Sequence, residues 1–318
     1  MQMNKPKVLF VDTAHPVLQE DLVKFGFLCD YFENYERKDY QAIVHEYEGL
    51  IIRGKIRLDR GILTKAKKLK FIGRVGAGME NIDVHFAVSR GIRCFNAPEG
   101  NRDAVGEQAL AMLLMLMNNL RRADNEVRRS IWIREGNRGT ELKGKTVAII
   151  GYGNTGGAFA QKLKGFDVRV IAFDKYKRGY ADRFVEESDM ETIFNKADIL
   201  SLHVPLTAET NYLVNEHYLK SFRKNIYLIN TSRGRVVKTS GLVEALKSGK
   251  VLGAALDVLE YEKLSFESLD TDVVPDDFKY LAESDKTVLS PHIAGWTHES
   301  NYKLAKVLAE KIRREFVK

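Results

Sequence analysis

Short apolar runs alternate with amphipathic stretches over the first hundred residues of the chain. The amphipathic stretches 59–68 and 81–89 repeat their apolar positions with helical spacing, and a glycine closes the second. Strands separated by helices are typical of a parallel sheet that is covered on both faces. The pattern therefore predicts an α/β domain with strands at Val8–Val11, Phe27–Cys29, Gly49–Ile52, Phe71–Gly73 and Ile92–Phe95.

A second alternating series begins near residue 146, after a long stretch without proline. That stretch, 101–134, predicts one continuous helix, and residues 299–317 predict a last helix that returns to the first domain. The second series predicts six strands, the number in a doubly wound sheet, at Thr146–Ile150, Val168–Phe173, Ile199–His203, Ile226–Asn230, Val251–Val258 and Thr287–Ser290. We therefore predict an α/β protein with two doubly wound parallel-sheet domains.

Residues 260–285 interrupt this second series with an acidic stretch between two predicted strands. Long connections in compact domains are usually surface insertions or lids. A plain insertion is the favoured interpretation, and a lid is the alternative.

Composition narrows the class of protein further. The chain has 318 residues, of which 44% are hydrophobic and 29% charged, and this excludes disordered and collagen-like proteins. The apolar run 109–117 is too short to span a bilayer, and no signal-peptide pattern precedes the first strand. Cys29 and Cys94 are too few for a disulfide framework, and a net charge of +7 is too modest to indicate nucleic-acid binding. We expect a cytoplasmic protein without a metal, a membrane or a nucleic acid as partner.

A glycine-rich turn follows the first strand of the second series. Gly151, Gly153 and Gly156 form a GxGxxG motif between a strand and a helix-compatible segment. Such glycines allow a tight turn, the approach of a pyrophosphate and close packing of the helix on the strand. Asp174 closes the next strand, where a carboxylate can bind an adenosine ribose and repel a 2′-phosphate. The pattern predicts an NAD site; the alternatives are a turn without a ligand, and NADP because basic residues follow Asp174.

Three further segments carry polar side chains where predicted strands end. They are Asn230–Gly234, Leu256–Glu262 and Ser290–Gly295. In an open α/β sheet, ligands bind outside the carboxyl ends of the strands. We therefore expect these segments to share one ligand-binding edge with the glycine-rich turn.

The motifs, taken in this order, resemble the D-isomer-specific 2-hydroxyacid dehydrogenases over nearly the whole chain. The resemblance implies an NAD-binding Rossmann domain at 99–295, inserted in a flavodoxin-like substrate domain made of 1–98 and 296–318. It also implies a homodimer. The matching segments are Gly73–Asp83, Leu202–Thr207 with Thr210, Asn230–Gly234, Gly253–Val258 and Pro291–Gly295.

The resemblance assigns catalysis to Arg233, Glu262 and His292. A guanidinium can bind the carboxylate of a 2-oxo acid and polarise the adjacent carbonyl. Histidine ordinarily titrates near neutral pH, which suits proton transfer, and a neighbouring carboxylate orients the ring. Any one of these residues alone is more often structural, but their joint occurrence in matching motifs favours catalysis.

The resemblance also implies contacts to cofactor and substrate. For NAD these are Gly151, Gly153, Asn154, Thr155, Gly156, Asp174, His203, Pro205, Thr210, Thr231, Ser232 and Asp257. For the substrate they are the backbone of Ala77 and Gly78 at the carboxylate, and Arg53, Gly54 and Asn101 toward the distal group.

Within the family, the phosphoglycerate dehydrogenases of serine biosynthesis resemble the chain most, and they imply a phosphorylated 2-hydroxy acid as substrate. We expect no added regulatory domain after the last helix. Hydroxypyruvate or glyoxylate reductases are the alternative within the family. An NAD-responsive binding protein that resembles the C-terminal-binding corepressors is the alternative from another class, since fold alone does not separate the two.

Overall fold

The computed structural model describes residues 5–32, 34–262 and 275–316. The chain divides into two compact units. Within the described residues, the first unit comprises the chain up to Asn101 together with Trp296 onward, and the second runs from Arg102 to Gly295.

The first unit is built on a five-stranded sheet, which we call the small sheet. Its strand order β2-β1-β3-β4-β5, with all pairs parallel, is the flavodoxin-like order. The elements are β1 (Lys7–Phe10), α1 (Pro16–Lys24), β2 (Leu28–Tyr31), α2 (Arg37–Ile43), β3 (Gly49–Ile52), α3 (Arg60–Leu63), β4 (Phe71–Arg74), α4 (Val84–Ser89) and β5 (Arg93–Phe95).

The second unit is built on a seven-stranded parallel sheet, the large sheet. Its order β12-β11-β10-β9-β6-β7-β8 is that of a Rossmann fold, with the switch point between β6 and β9. The elements are α5 (Pro98–Met117), which begins in the first unit, α6 (Leu120–Arg128), β6 (Thr146–Ile150), α7 (Asn154–Lys162), β7 (Arg169–Phe173), β8 (Val185–Glu187), α8 (Met190–Lys196), β9 (Ile199–Leu202), α9 (Glu216–Lys220), β10 (Ile226–Asn230), α10 (Thr239–Lys247), β11 (Val251–Leu256), α11 (Asp276–Glu283) and β12 (Thr287–Leu289).

The last helix, α12 (His298–Phe316), packs on the small sheet as expected. Leu304, Leu308 and Ile312 are buried in the same core cluster as residues of β1, β3 and β4. Their spacing places them on one face of the helix, so burial of this apolar stripe holds the helix against the sheet. The predicted class of two parallel-sheet α/β domains is confirmed.

Three predicted details are wrong. The helix predicted over 101–134 is interrupted, because Asn119 takes a left-handed conformation (φ 53°) that ends α5 and starts α6. The helix predicted over 59–68 ends at Leu63, and the chain continues through turns over 64–68, although Ala66 and Leu69 are buried at helical spacing from Ile62. The large sheet has a seventh strand, β8, which the pattern missed because only Val185 of its three residues is buried.

Part of the acidic stretch 260–285 becomes α11, whose Leu281 is fully buried in the core of the second unit. Residues 263–274 lie outside the described residues, so the choice between insertion and lid stays a prediction. None of the helices in the described ranges is both long and apolar enough to cross a bilayer.

Candidate active site

The central strands of the large sheet bring the predicted nucleotide residues to one edge. The pairing of Ile150 with Leu202, and of Leu202 with Asn230, places Gly151, His203 and Thr231 side by side just beyond the strand ends. This row lies at the switch point, where open α/β sheets bind their ligands.

The glycine-rich turn joins β6 to α7, and it has no room for a side chain at Gly151 and Gly156. A Cβ on Gly156 would lie 2.1 Å from the carbonyl oxygen of Gly151, so only glycine lets the helix start this close to the strand. No side chain caps the first turn of α7, which contains Asn154 and Thr155. The amide groups of such a helix start attract phosphate through hydrogen bonding and the helix dipole.

Asp174 follows β7 and ties this turn to the neighbouring strand. Its Oδ2 accepts from the N–H of Tyr152 at 2.9 Å, and its Oδ1 accepts from the N–H groups of Tyr176 and Lys177, both at 2.9 Å. A carboxylate has about four acceptor positions, so three backbone bonds leave capacity for a ribose hydroxyl. Asp174 therefore has a structural role that the sequence did not reveal, beside the predicted one.

Two buried polar atoms at the same edge have no hydrogen-bond partner among the described residues. They are Nδ1 of His203 and Oγ1 of Thr231. The other ring nitrogen of His203 lies 2.8 Å from the hydroxyl of Ser201, and burial lowers the pKa of this histidine from 6.5 to about 3. Buried polar groups normally find a partner, so these two atoms fit an edge that completes its hydrogen bonds with a bound ligand.

Two other predicted cofactor residues use their hydroxyls within their own loops. Thr210 Oγ1 donates to the carbonyl oxygen of Pro205 at 2.6 Å and so closes the turn after β9. Ser232 Oγ donates to Oδ1 of Asn230 at 2.7 Å. We conclude that these side chains shape the edge of the site.

Asn230 shapes the loop that carries Arg233, and the candidate set did not include it. It is fully buried, its Oδ1 also accepts from the N–H of Ser232, and its Nδ2 donates to the carbonyl oxygen of Arg233 at 2.9 Å. These bonds curl the loop so that Arg233 leaves the end of β10 in a defined direction. The position of Asn230 at the start of the Asn-Thr-Ser-Arg run, where a buried strand ends, was the sequence feature that could have indicated this role.

Gly234 brings the Arg233 loop against the loop that carries Glu262. A Cβ at Gly234 would lie 1.8 Å from the carbonyl oxygen of Leu259, so no larger residue fits there. Leu259 in turn donates its N–H to Oε1 of Glu262 at 2.5 Å. The close approach of the two backbones thus links the position of Arg233 to that of Glu262.

Glu262 and His292 form a hydrogen-bonded pair in the loops that follow the neighbouring strands β11 and β12. Nδ1 of His292 lies 2.8 Å from Oε2 of Glu262, and both side chains are largely buried. His292 takes a left-handed conformation with φ 57°, which is uncommon for residues other than glycine and indicates a position set by its surroundings. With Nδ1 bound to the carboxylate, Nε2 is the ring nitrogen suited to exchange a proton with a substrate.

Asp257 fixes the loop that carries His292 by accepting hydrogen bonds from residues on both sides of it. Its Oδ1 accepts from the hydroxyl of Ser290 at 2.6 Å and from the N–H of Ile293 at 2.9 Å, and its Oδ2 accepts from the N–H of Ala294 at 2.9 Å. Burial raises the pKa of Asp257 above its ordinary range, against these donors, which favour the charged form. Ser290 is therefore a further positioning residue that the prediction did not name.

The predicted substrate residues lie in the first unit: Arg53 and Gly54 follow β3, Ala77 and Gly78 follow β4, and Asn101 lies in the first turn of α5. Asn96 Nδ2 donates to the carbonyl oxygen of Ala77 at 2.6 Å, which orients the loop after β4. The N–H groups of Ala77 and Gly78 form no hydrogen bond with another of the described residues. Oδ1 of Asn101 is buried without a described partner. These groups fit the recognition of a carboxylate and of a polar substituent.

The donor set of the large-sheet edge fits NAD. The glycine-rich turn and the start of α7 would hold the pyrophosphate, Asp174 the ribose, and Thr231, His203 and Asp257 the remainder. The described residues contain no cluster of three or more metal-ligating side chains. A Rossmann sheet with this edge, beside an Arg and a Glu–His pair, defines the class of NAD-dependent oxidoreductases.

Comparison with known proteins places the chain in a particular family. The family model "D-isomer specific 2-hydroxyacid dehydrogenase, NAD binding domain" matches residues 110–294, which is more than half of the chain. The chain therefore belongs to the D-isomer-specific 2-hydroxyacid dehydrogenases, NAD-dependent enzymes that act on the CH–OH group of their donors.

The similar proteins include members with different substrates. D-3-phosphoglycerate dehydrogenase of Archaeoglobus fulgidus is 33% identical over 304 residues, which cover 94% of this chain but only 56% of that protein. Hydroxypyruvate reductase of Thermotoga maritima is 33% identical over 283 residues, 89% of each chain. The structure of Aquifex aeolicus D-lactate dehydrogenase, complexed with NAD and lactic acid, has a TM-score of 0.82 at 25% identity and covers 96% of this chain and 94% of its own.

Proposed function

We propose that the protein interconverts D-3-phosphoglycerate and its 2-oxo acid, 3-phosphohydroxypyruvate, with NAD as the cofactor. The observation that carries the chemistry is the Glu262–His292 pair at 2.8 Å on the sheet edge that also presents Arg233. We assign residues 99–295 to the nucleotide domain, and residues 1–98 and 296–318 to the substrate domain.

Arg233 binds the substrate carboxylate and polarises the neighbouring carbonyl, since a planar guanidinium can donate to both oxygens at once. His292 gives a proton from Nε2 to the carbonyl oxygen during reduction and takes it back during oxidation. Glu262 holds the ring in place through Nδ1. NADH, when bound, supplies the hydride that is added to the carbonyl carbon. Hydride and proton together convert the C=O group to CH–OH.

Recognition of the substrate uses the first unit in this proposal. The N–H groups of Ala77 and Gly78 bind the carboxylate, where small or absent side chains leave the backbone accessible. Arg53, Gly54 and Asn101 contact the distal group. A phosphate there is supported by Arg53, because a forked guanidinium supplies oriented, charge-assisted donors.

NADH oxidation with 3-phosphohydroxypyruvate, hydroxypyruvate, glyoxylate and pyruvate tests the proposal. We expect kcat/KM to be highest for 3-phosphohydroxypyruvate. Preference for hydroxypyruvate or glyoxylate would instead support the second candidate, a hydroxypyruvate or glyoxylate reductase, which the similarity to the Thermotoga maritima enzyme favours. Failure to reduce any of the four would contradict the proposed chemistry.

We also propose a homodimer in the cytoplasm. Every residue of α6 lies at least partly on the surface, and the following segment exposes Ile131, Ile133 and Trp132, the last at 79%. A cluster of exposed apolar side chains is typical of an interface, and a second copy of the chain would cover it. The two free cysteines are in keeping with a reducing compartment. Light scattering of the purified protein measures the oligomeric state.

A further inference from the structure

The small sheet has its own switch point, between β1 and β3, and two charged residues lie directly beyond it. Asp12 follows β1, and Arg53 follows β3, its neighbour in the sheet. In sheets of this order the switch point is where ligands bind. Arg53 therefore lies where a ligand of the first unit is expected to bind.

Asp12 organises the backbone of the segment Arg53–Lys55, which we call the Arg53 loop. Its Oδ2 accepts from three successive N–H groups, of Arg53 at 2.7 Å, Gly54 at 2.8 Å and Lys55 at 3.0 Å. Successive amides that converge on one anion form a nest. Asp12 is only 8% exposed, so this nest is filled from inside the protein and the loop has its shape before any substrate arrives.

Trp296 stacks on the side chain of Arg53, whose backbone is bound by Asp12. The guanidinium carbon of Arg53 lies 4.6 Å from the centroid of the Trp296 ring, in the range of a cation–π contact. Trp296 precedes α12, whose start is set by reciprocal bonds between Thr297 and Ser300, both at 3.0 Å. Stacking uses the face of the guanidinium, whereas its N–H donors lie in the plane.

We propose that Asp12 and Trp296 are positioning residues that pre-organise Arg53 to select 2-oxo acids with an anionic distal group. This inference rests on the proposed function, and it adds two residues that the family motifs do not include. Holding the backbone and the side-chain plane of an arginine in advance removes much of the ordering cost that binding would otherwise carry. Selectivity for the anion then depends on residues that never touch it.

Trp296→Leu and Trp296→Phe test the stacking. The readout is the ratio of kcat/KM for 3-phosphohydroxypyruvate to that for hydroxypyruvate, two substrates that differ only by the phosphate. We expect the ratio to fall about fivefold to tenfold in Trp296→Leu, mainly through KM, as the loss of a cation–π contact predicts. Trp296→Phe, which keeps an aromatic face, should restore most of it.

Asp12→Asn tests the nest with little change in shape. We expect a fall in the same ratio of about tenfold, because charged acceptors hold backbone N–H groups more strongly than neutral ones. Asp59→Asn is the matched control, since the Asp59 carboxylate accepts from the N–H groups of Gly61 and Ile62 in the same unit, at the start of α3. The control should keep the wild-type ratio. Equal losses on both substrates in the Asp12 and Trp296 variants would show a merely structural role and overturn the inference.

A binding measurement separates this inference from the proposed reaction. D-3-phosphoglycerate should raise the midpoint of thermal unfolding more than D-glycerate in wild type, and Trp296→Leu and Asp12→Asn should reduce that difference. If wild type reduces no 2-oxo acid but shows this difference, the proposed reaction fails and the anion selectivity stands. If wild type reduces 2-oxo acids without distinguishing the two ligands, the inference fails and the reaction stands.

Discussion

Each sheet holds its functional loops with a carboxylate at a strand end, but the two carboxylates are used differently. Asp174, beyond β7 of the large sheet, spreads three backbone bonds over both oxygens and is half-buried. Asp12, beyond β1 of the small sheet, collects three bonds on one oxygen and is almost fully buried. Asp174 can therefore serve a ligand and the loop together, whereas Asp12 serves the loop alone.

The same contrast extends to the residues around them. The large-sheet edge presents side chains that titrate or carry charge, namely Arg233, Glu262 and His292. The small-sheet edge presents backbone N–H groups, at Ala77 and Gly78, and one held arginine. In our proposal, chemistry belongs to the first edge and recognition to the second, so changes at the two edges should affect different kinetic constants.

His292→Ala should produce the largest effect, and it tests whether the large-sheet edge carries the chemistry. We expect kcat for reduction to fall roughly 10²- to 10⁴-fold, the usual contribution of a positioned acid or base. The dissociation constant of NADH, measured by fluorescence titration, should stay within about twofold. His217→Ala, at an exposed position on α9, is the control. A parallel loss of NADH binding would mean that His292 shapes the cofactor edge instead.

Asp174→Ser should change the choice of nucleotide. Its charge opposes a 2′-phosphate, so the ratio of kcat/KM for NADPH to that for NADH should rise about tenfold or more. Asp189→Ser is a control, since Asp189 also accepts from a backbone N–H, that of Thr192, but at the start of α8. A wild type that already prefers NADPH would contradict the role given to Asp174.

His203 should make the stability of the large-sheet unit depend on pH. Burial lowers its pKa to about 3 in the folded chain, whereas an unfolded histidine titrates near its ordinary value of 6.5. Between these values the unfolded chain binds a proton that the folded chain does not. The free energy of unfolding should therefore fall as the pH drops below 6.5, by up to about 1.4 kcal/mol per pH unit from this group.

Urea unfolding of wild type and His203→Gln between about pH 4.5 and 7 measures this contribution. The variant should show the shallower dependence, and His217→Gln should keep that of wild type. Identical slopes in wild type and His203→Gln would mean that His203 is protonated in the folded protein.

Sequence patterns located the strands well because burial on both faces leaves nearly continuous apolar runs, as at Ile149 and Ile150 of β6. They located the glycine-rich turn and the segment of Arg233 because each depends on a few adjacent residues. They failed for β8, where two of three residues are charged and exposed, and at Asn119, where a single left-handed residue divides a helix. Such features depend on edge position and on one backbone angle, and neither changes the hydrophobic period.

The sequence by itself indicated the α/β class and the nucleotide edge, because local periodicity and short motifs encode them, and its resemblance to the family predicted the roles of Arg233, Glu262 and His292. Only the tertiary structure decided that Asp12 binds the Arg53 loop, that Trp296 stacks on Arg53, and that Gly234 must admit the backbone of Leu259. Each of these contacts joins residues far apart along the chain. Their geometry follows from strand order and helix docking, which no local run of residues specifies.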